Sequence, residues 1–551
     1  MTRKNYGLLA LAGAVAAAVS GTAGATALPI PAAQAFYFSG STAMDNPLKA
    51  LFLHAGGICS TSGTNTIDVY TDNSSGSIGG GHNNMVVCNL ATAIGSLTAG
   101  TTVAFDKESN GGSLEGIVPV ANGTGLTFFS TTSVPTCTGT ATVTAGTAPY
   151  TKAAAYTVHY GCTPNATLAP QIGIADEHLQ AFNIGTPTVT NAIASKVKYQ
   201  QFAQNVFGIG VSLNLFRALQ KAQGLTTTGT TNDNLANRPT LSSIAIRSLY
   251  TGTITSWAQV SDSAGNAINS TTDAGSGVPN TVYICRRGVS SGTETSVDIR
   301  FIGNRCTQTA AEPIPIVSAT TTPANCTGQL TSGTAEEYGC GWNASTNAND
   351  VVFAGFGGGD VASCLSYHDA HGQFAIGNLT TNQAEADLNG AGGTGDTNSS
   401  TNGRFRFVKI DGKSPDLGSV VNGQYDYVMD NIMVTQNNNV AERDALVNFF
   451  LNDFVSSAAF VESFMNTQPG DTNFTAGLLV DQLNPTYLNA GTLTPNKTPP
   501  YVTGAAVAAG TGGVTPVSPF TFLAVDNTNP QNCVPSAVDA AASGSSVPTN
   551  P

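Results

Sequence analysis

With 551 residues, 41% of them apolar and only 10% charged, the chain can bury large cores and is no disordered polyelectrolyte, and its length suggests roughly two to four domains. Its 21 Lys and Arg against 34 Asp and Glu give a net charge of -13, with no basic run beyond the first four residues. That balance excludes a nucleic-acid partner held by phosphate neutralisation.

In chain order, the first element is a secretory signal peptide over residues 1–35. Arg3 and Lys4 precede an apolar run from Leu8 to Val19, and Ala33-Gln34-Ala35 supplies a small-x-small cleavage site. No later stretch is long and apolar enough to span a bilayer, and the first cysteine is Cys59, so neither a transmembrane anchor nor an N-terminal lipid is expected. The expected product is soluble, monomeric and exported, either to the periplasm or beyond it. Strand-like runs follow at Ala35–Ser39, Thr102–Phe105, Gln171–Ala175 and Val282–Cys285. Helical spacing marks Leu48, Leu51, Phe52 and Ala55, then Leu215, Leu219 and Ala222 with Gly224 as a stop, and then Leu446, Val447, Phe450, Leu451 and Phe454. This mixture predicts α/β layers. Gly/Thr/Asn-rich stretches at 121–170, 303–350 and 387–403 read as surface insertions. Residues 484–551 read as an irregular, low-complexity tail. Ten cysteines in an oxidising compartment predict disulfides, with 59–88, 137–162 and 326–340 as short candidate loops and the connectivity open.

Three segments share one design, a strand running into small hydroxyl and glycine residues and then a helix. They are Phe38-Ser39-Gly40-Ser41-Thr42-Ala43, Asn110-Gly111-Gly112-Ser113 after the strand ending at Phe105, and Arg287-Gly288-Val289-Ser290-Ser291-Gly292-Thr293. Thr42 with Asp45, and Ser291 with Glu294, fit capping boxes. Helix N-termini offer unpaired N–H groups, so several converging on one cleft bind a small oxyanion with little cationic help. Arg287 adds a planar fork able to grip two oxygens.

These segments, with Ile172-Gly173-Ile174-Ala175-Asp176, the stretch from Leu249-Tyr250-Thr251-Gly252 through Thr253-Ile254-Thr255-Ser256-Trp257, and Phe374-Ala375-Ile376-Gly377, occur in the order seen in a known family. The chain resembles the PstS-type phosphate-binding proteins of phosphate ABC transporters and their secreted relatives, over most of residues 36–465. The resemblance implies a two-lobe, Venus-flytrap α/β fold. Lobe one would be 36–195 plus 430–483 and lobe two 196–429, with inorganic phosphate in the cleft and an ABC permease as partner. It implies Arg287, Ser291, Gly292 and Thr293 as the main phosphate loop, Thr42 and Ala43 as the N-terminal loop, and Ser113 as the second serine loop, for which Ser75 competes. It implies Asp176 as a selectivity residue, since a carboxylate accepts a hydrogen bond from protonated phosphate but repels fully ionised sulfate. Read on its own, Asp176 also fits a plain helix N-cap. Ala43 stands where many relatives carry phenylalanine. No cofactor and no metal is expected.

Two other readings compete. Gly288-Val289-Ser290-Ser291-Gly292 fits a Gly-x-Ser-x-Gly nucleophile elbow, with Asp360, His368, Asp369 and His371 as partners for a phosphate-related hydrolase. A structural surface protein with a vestigial cleft would keep the fold without the ligand. His368 and His371 have helical spacing but read as a structural or exposed pair, and Trp257 as a packing residue behind its motif.

Overall fold

A computed structural model describes residues 28–456, apart from 54–56, 62–65, 75–80, 146–153, 183–188, 226–236, 276, 304–338, 349, 382, 384, 386–403, 417–418 and 421–422; it also describes 478–480, 520–521 and 537–538. Most of the expected signal peptide, of the insertion at 303–350 and of the tail therefore lies outside the described residues, as do all of 387–403 and Ser75.

The strands that matter here are β1 (Ala35–Gly40), β2 (Asp68–Thr71), β3 (Asn83–Asn89), β4 (Thr102–Glu108), β5 (Gly139–Val143), β6 (Tyr156–Tyr160), β7 (Ile172–Ala175), β8 (Val197–Ser212), β9 (Tyr283–Arg287), β10 (Val352–Gly355), β11 (Ala375–Thr380), β12 (Phe405–Phe407) and β13 (Val428–Gln436). They form one continuous ladder in the order β10-β9-β11-β8-β13-β7-β1-β4-β3-β2-β6-β5, with β12 also on β8. The principal helices are α1 (Asp45–Leu53), α2 (Leu213–Ala222), α3 (Ser243–Tyr250), α4 (Gly292–Val297), α5 (Gly358–Ala370) and α6 (Ala441–Ser456).

β1 shows why the sheet is covered on both faces. Phe36 and Phe38 enter one core with Phe52, Phe105 and Phe450, while Ala35 and Tyr37 enter another with Ile30, Phe128 and Phe129. Successive side chains alternate across a strand, so an apolar residue at every position requires layers on both sides, as parallel sheets have. β1 pairs in parallel with both β4 and β7. Beyond β8 a second parallel set, β10-β9-β11, has its own core of Cys285, Phe353, Val361, Leu365 and Phe405.

The two sets are joined by β8, which is 16 residues long. Its first part, from Val197 to Val206, pairs antiparallel with β13, and its second, from Phe207 to Val211, pairs antiparallel with β11. The result is a two-lobe α/β architecture with a strand running through both lobes: one is built on the parallel set β10-β9-β11, the other on a mixed sheet in which β7-β1-β4 are parallel and β3 runs antiparallel to β4 and β2. Neither β8 nor β13 is among the strands expected from the sequence.

The stretch at 121–170 departs from the expected surface insertion. It contributes β5 and β6, which extend the sheet beyond β2, and is closed by a Cys137–Cys162 disulfide. Cys59–Cys88 forms as the spacing suggests, whereas Cys285–Cys364 joins residues 79 apart. Cys340 is also disulfide-bonded, and the other end of the 326–340 loop lies outside the described residues. Residues just ahead of Phe36 belong to the fold: Ile30 is buried, and its N–H donates to the Thr131 carbonyl at 2.8 Å. Trp257 is fully buried, donating to the Phe374 carbonyl at 3.3 Å and meeting that ring edge-on. No described helix is long and apolar enough to cross a membrane.

Candidate functional site

Ligand crevices in open α/β sheets lie beyond the carboxyl ends of the parallel strands. The chain after β1 carries Ser41, Thr42 and Ala43, that after β4 carries Ser113, that after β7 carries Asp176, and β9 ends on Arg287 and leads into Ser291, Gly292 and Thr293. All eight residues expected from the sequence meet in one place, together with Ser41 and Asn205, which the sequence reading did not single out.

Local geometry requires specific residues. Gly40 has a φ of +108°, and a side chain there would put its Cβ 2.1 Å from the Ile174 carbonyl, so only glycine lets β1 turn against β7. The cap of the short turn after β1 falls on Ser41, not Thr42: the Ser41 hydroxyl accepts from the Ala43 N–H at 3.2 Å. Ser291 caps α4 as expected, accepting from the Thr293 N–H at 3.2 Å. Glu294, however, does not reach back to close a capping box. It accepts from the Arg287 N–H at 3.1 Å and faces the Arg286 guanidinium at 3.4 Å, tying α4 to β9.

Arg287 is buried, with its donors spread over both sides of the crevice. Nε donates to the Gly355 carbonyl at 3.1 Å, Nη1 to Thr293 Oγ1 at 3.4 Å and Nη2 to Thr42 Oγ1 at 3.3 Å and to the Phe356 carbonyl. Ser113 is a second junction. Its Oγ donates to Asp176 Oδ2 at 3.2 Å and accepts from the Asp176 N–H at 3.0 Å and the Gly292 N–H at 3.2 Å. Asp176 Oδ1 accepts from the Ser41 hydroxyl and, at 2.9 Å, from Asn205 Nδ2 on β8. The joining strand is thus part of the site. The loops of the two sheet sets touch elsewhere too: the Leu114 N–H donates to the Ser290 carbonyl at 3.0 Å, and the His82 ring meets Phe356 edge-on.

Electrostatically the site is dry. Burial pushes the Asp176 carboxyl above its ordinary value, against the Ser41 bond, the Arg287 charge, the Ser113 bond and the Lys107 charge. Burial likewise lowers Arg287, opposed by Asp176, Asp360, Glu294 and Asp45. Both shifts run against ionisation, as desolvation requires. Behind the β1 turn, Lys107 Nζ donates to the Gly40 and Ser41 carbonyls, both at 3.0 Å, and pairs with Asp45 at 2.7 Å. The Glu115 carboxylate accepts from the Gly111 N–H at 2.6 Å, and Glu108 accepts from the Asn110 N–H at 2.8 Å, which fixes the turn that presents Ser113. This arrangement can do one thing well: offer hydroxyl, guanidinium and backbone N–H donors, plus a single carboxylate acceptor, to a small oxyanion.

The nucleophile-elbow constellation does not assemble. Ser290 Oγ is buried without a hydrogen-bond partner. Asp360 accepts from the Trp342 and Gly357 N–H groups, both at 2.9 Å. Asp369 pairs with Arg404 at 2.7 Å, and the exposed His371 contacts the Tyr367 carbonyl at 2.8 Å. His368 is buried against Gln373 at 2.7 Å, and burial pushes its imidazole down to about 4. The two histidines therefore face different surroundings.

No protein-family model and no curated protein matches the chain. Among solved structures it is similar to a putative phosphate ABC transporter substrate-binding protein with bound phosphate from Clostridium perfringens, at 14% identity and a TM-score of 0.35, over 78% of this chain and 96% of that one. It is similar to PstS from Borrelia burgdorferi at 13% identity and a TM-score of 0.29, over 78% and 96% of the two chains. It is also similar to an ABC-type phosphate transport receptor from Vibrio cholerae at 12% identity and a TM-score of 0.27, over 52% and 74%.

Proposed function

We propose that the chain is an exported solute-binding protein that captures inorganic phosphate in the crevice between its two lobes and delivers it to an ABC permease. In this reading lobe one comprises 36–195 with 430–483 and lobe two 196–429, and β8 and β13 are the crossing segments. The observation that carries it is the buried Arg287 with Thr42 and Thr293 on its fork, linked through Gly292 and Ser113 to Asp176.

On this reading the Arg287 fork, the hydroxyls of Thr42, Ser113, Ser291 and Thr293, and the N–H groups of Ala43, Gly292 and Thr293 turn from one another onto the anion's oxygens. The Asp176 carboxylate accepts a hydrogen bond from the P–OH group, a donor that sulfate lacks at neutral pH. Affinity then comes from many preorganised hydrogen bonds in a water-poor site, compatible with a net charge of -13. Bending at β8 and β13 opens and shuts the crevice.

Calorimetric titration of the ligand-stripped, oxidised protein with phosphate and then with sulfate tests the proposal. Tight phosphate binding with little sulfate response is expected, and Arg287→Ala should remove it. Binding of neither anion would leave a structural protein with a vestigial cleft, and turnover of a chromogenic phosphomonoester would make the protein an enzyme.

A further inference from the structure

Away from the anion crevice, on the face of β9 covered by α5, both sulfurs of Cys285 and Cys364 and a ring nitrogen of His368 lie within 4.8 Å of one another, all three residues buried. Cys364 and His368 are four residues apart on α5 and so share one face of the helix. Hydrogen bonds fix the imidazole tautomer. The Gln373 amide nitrogen donates to the Tyr283 hydroxyl at 3.2 Å, which turns its oxygen towards His368 Nδ1 at 2.7 Å. Nδ1 therefore carries the proton, and Nε2 keeps a bare lone pair. Nε2 is buried without a hydrogen-bond partner, and the Tyr283 ring stacks on the imidazole at 4.2 Å. An imidazole held through Nδ1–H by an amide oxygen, with its other nitrogen buried and unsatisfied, is how proteins prepare a metal-ligating histidine.

In the structure the sulfurs are joined as a disulfide. We propose that reduction of Cys285–Cys364 converts this cluster into a buried two-thiolate, one-imidazole site for a thiophilic divalent cation of the zinc type, with Nε2 of His368 as the nitrogen ligand. A dithiol reductant supplies two electrons and two protons, giving two cysteine thiols and its own disulfide. The cation then displaces both thiol protons to solvent as two metal–sulfur bonds form. Disulfide and metal are mutually exclusive clamps between the same elements, β9 with Arg287 two residues from Cys285, and α5. The newly made, still reduced chain would hold the cation, and a disulfide oxidant that takes up two electrons and two protons to become its dithiol while Cys285–Cys364 forms would release it. This site is independent of the phosphate reading.

The test uses the full chain reduced with dithiothreitol and then desalted without oxygen, titrated with cobalt(II) and zinc(II). Thiolate-to-cobalt charge-transfer absorption at one equivalent is expected, absent from the oxidised protein. His368→Gln should weaken binding by about a hundredfold or more, and Gln373→Ala by about ten- to hundredfold through loss of the tautomer lock. Circular dichroism checks that the variants fold. X-ray absorption on the zinc-loaded wild-type protein needs no variant and should show two sulfurs and one imidazole nitrogen. A sulfur-only shell, or equal affinity in His368→Gln and in the Cys285→Ser/Cys364→Ser double variant, would overturn the assignment.

Discussion

Gly292→Ala is the most informative single change, because residue 292 sits where the two lobes touch. A Cβ there would lie 2.5 Å from Asp176 Cβ, 2.6 Å from Ser113 Oγ and 3.0 Å from Asp176 Oδ2. Ordinary carbon contacts are about 3.5–4.0 Å, so the α4 loop must retreat from Ser113 and Asp176 by about 1 Å. That movement carries the Gly292 N–H, now 3.2 Å from Ser113 Oγ, out of hydrogen-bonding range of the crevice in which it would meet the anion. Overpacking costs about 1–3 kcal/mol and an orphaned buried N–H a further 1–3 kcal/mol, or roughly 2–6 kcal/mol against the closed arrangement. The clash is between lobes and is relieved by opening, so it should fall on ligand affinity and spare the folding of each lobe. At about 1.4 kcal/mol per tenfold, phosphate affinity should drop by about 30-fold to 20,000-fold, with little change in the thermal unfolding midpoint. Calorimetry and a thermal melt on the same preparation read both quantities. Gly359→Ala is the control, since a methyl there meets nothing within 4 Å at the start of α5 and should be neutral or stabilise by up to about 1 kcal/mol. Unchanged phosphate affinity in Gly292→Ala would refute the interlobe reading of this contact.

Three further outcomes are expected. Asp176→Asn should raise sulfate binding relative to phosphate, because the amide removes the repelling charge and adds a donor; competition titration measures the ratio, and an unchanged ratio contradicts the selectivity role. Asp106→Asn should stabilise the fold at neutral pH by roughly 1–3 kcal/mol, since Asp106 is fully buried, has one carboxylate oxygen without a partner, and is held well above its ordinary value by burial. With the folded value above the unfolded 3.8, folding carries no penalty below 3.8 and loses stability as pH rises towards the folded value, so the variant's gain should vanish near about pH 3 and grow as pH rises above it; denaturant melts at acid and neutral pH would show a pH-independent difference if this were wrong. Mass spectrometry of the protein recovered after expression with its leader tests the expected cleavage after Ala35, which predicts an N-terminus at Phe36; an N-terminus ahead of Ile30 would instead retain the burial of that residue, about 1.5–3 kcal/mol, and the first residue of β1. A Phe36 start would show those contacts to be dispensable.

Local chemistry was legible in the linear order of residues. Ala35–Ser39 reads as a strand, Ser291 before Gly292 as a helix cap, and Arg287, Ser113 and Asp176 stand in segments whose residue types already point to an anion. Short-range covalent closure, Cys59 with Cys88 and Cys137 with Cys162, was within reach for the same reason: the partners are close in the chain.

What only the tertiary structure decided depends on partners far apart in sequence. β8 carries Gln200, Gln201, Gln204 and Asn205 at buried positions, so apolar periodicity does not mark it. Two of those polar side chains are met by groups from distant segments: Asp430 accepts from Gln204 at 2.7 Å and Asp176 accepts from Asn205 at 2.9 Å. Glu294 had the spacing of a capping residue, and the nearness of β9 drew it instead to Arg287 and Arg286. Cys285 met Cys364 because β9 and α5 pack together, a contact that no spacing encodes. Periodicity and capping report which groups want burial or a hydrogen bond; which group satisfies them is settled by the chain's return, and that is a property of the assembled sheet.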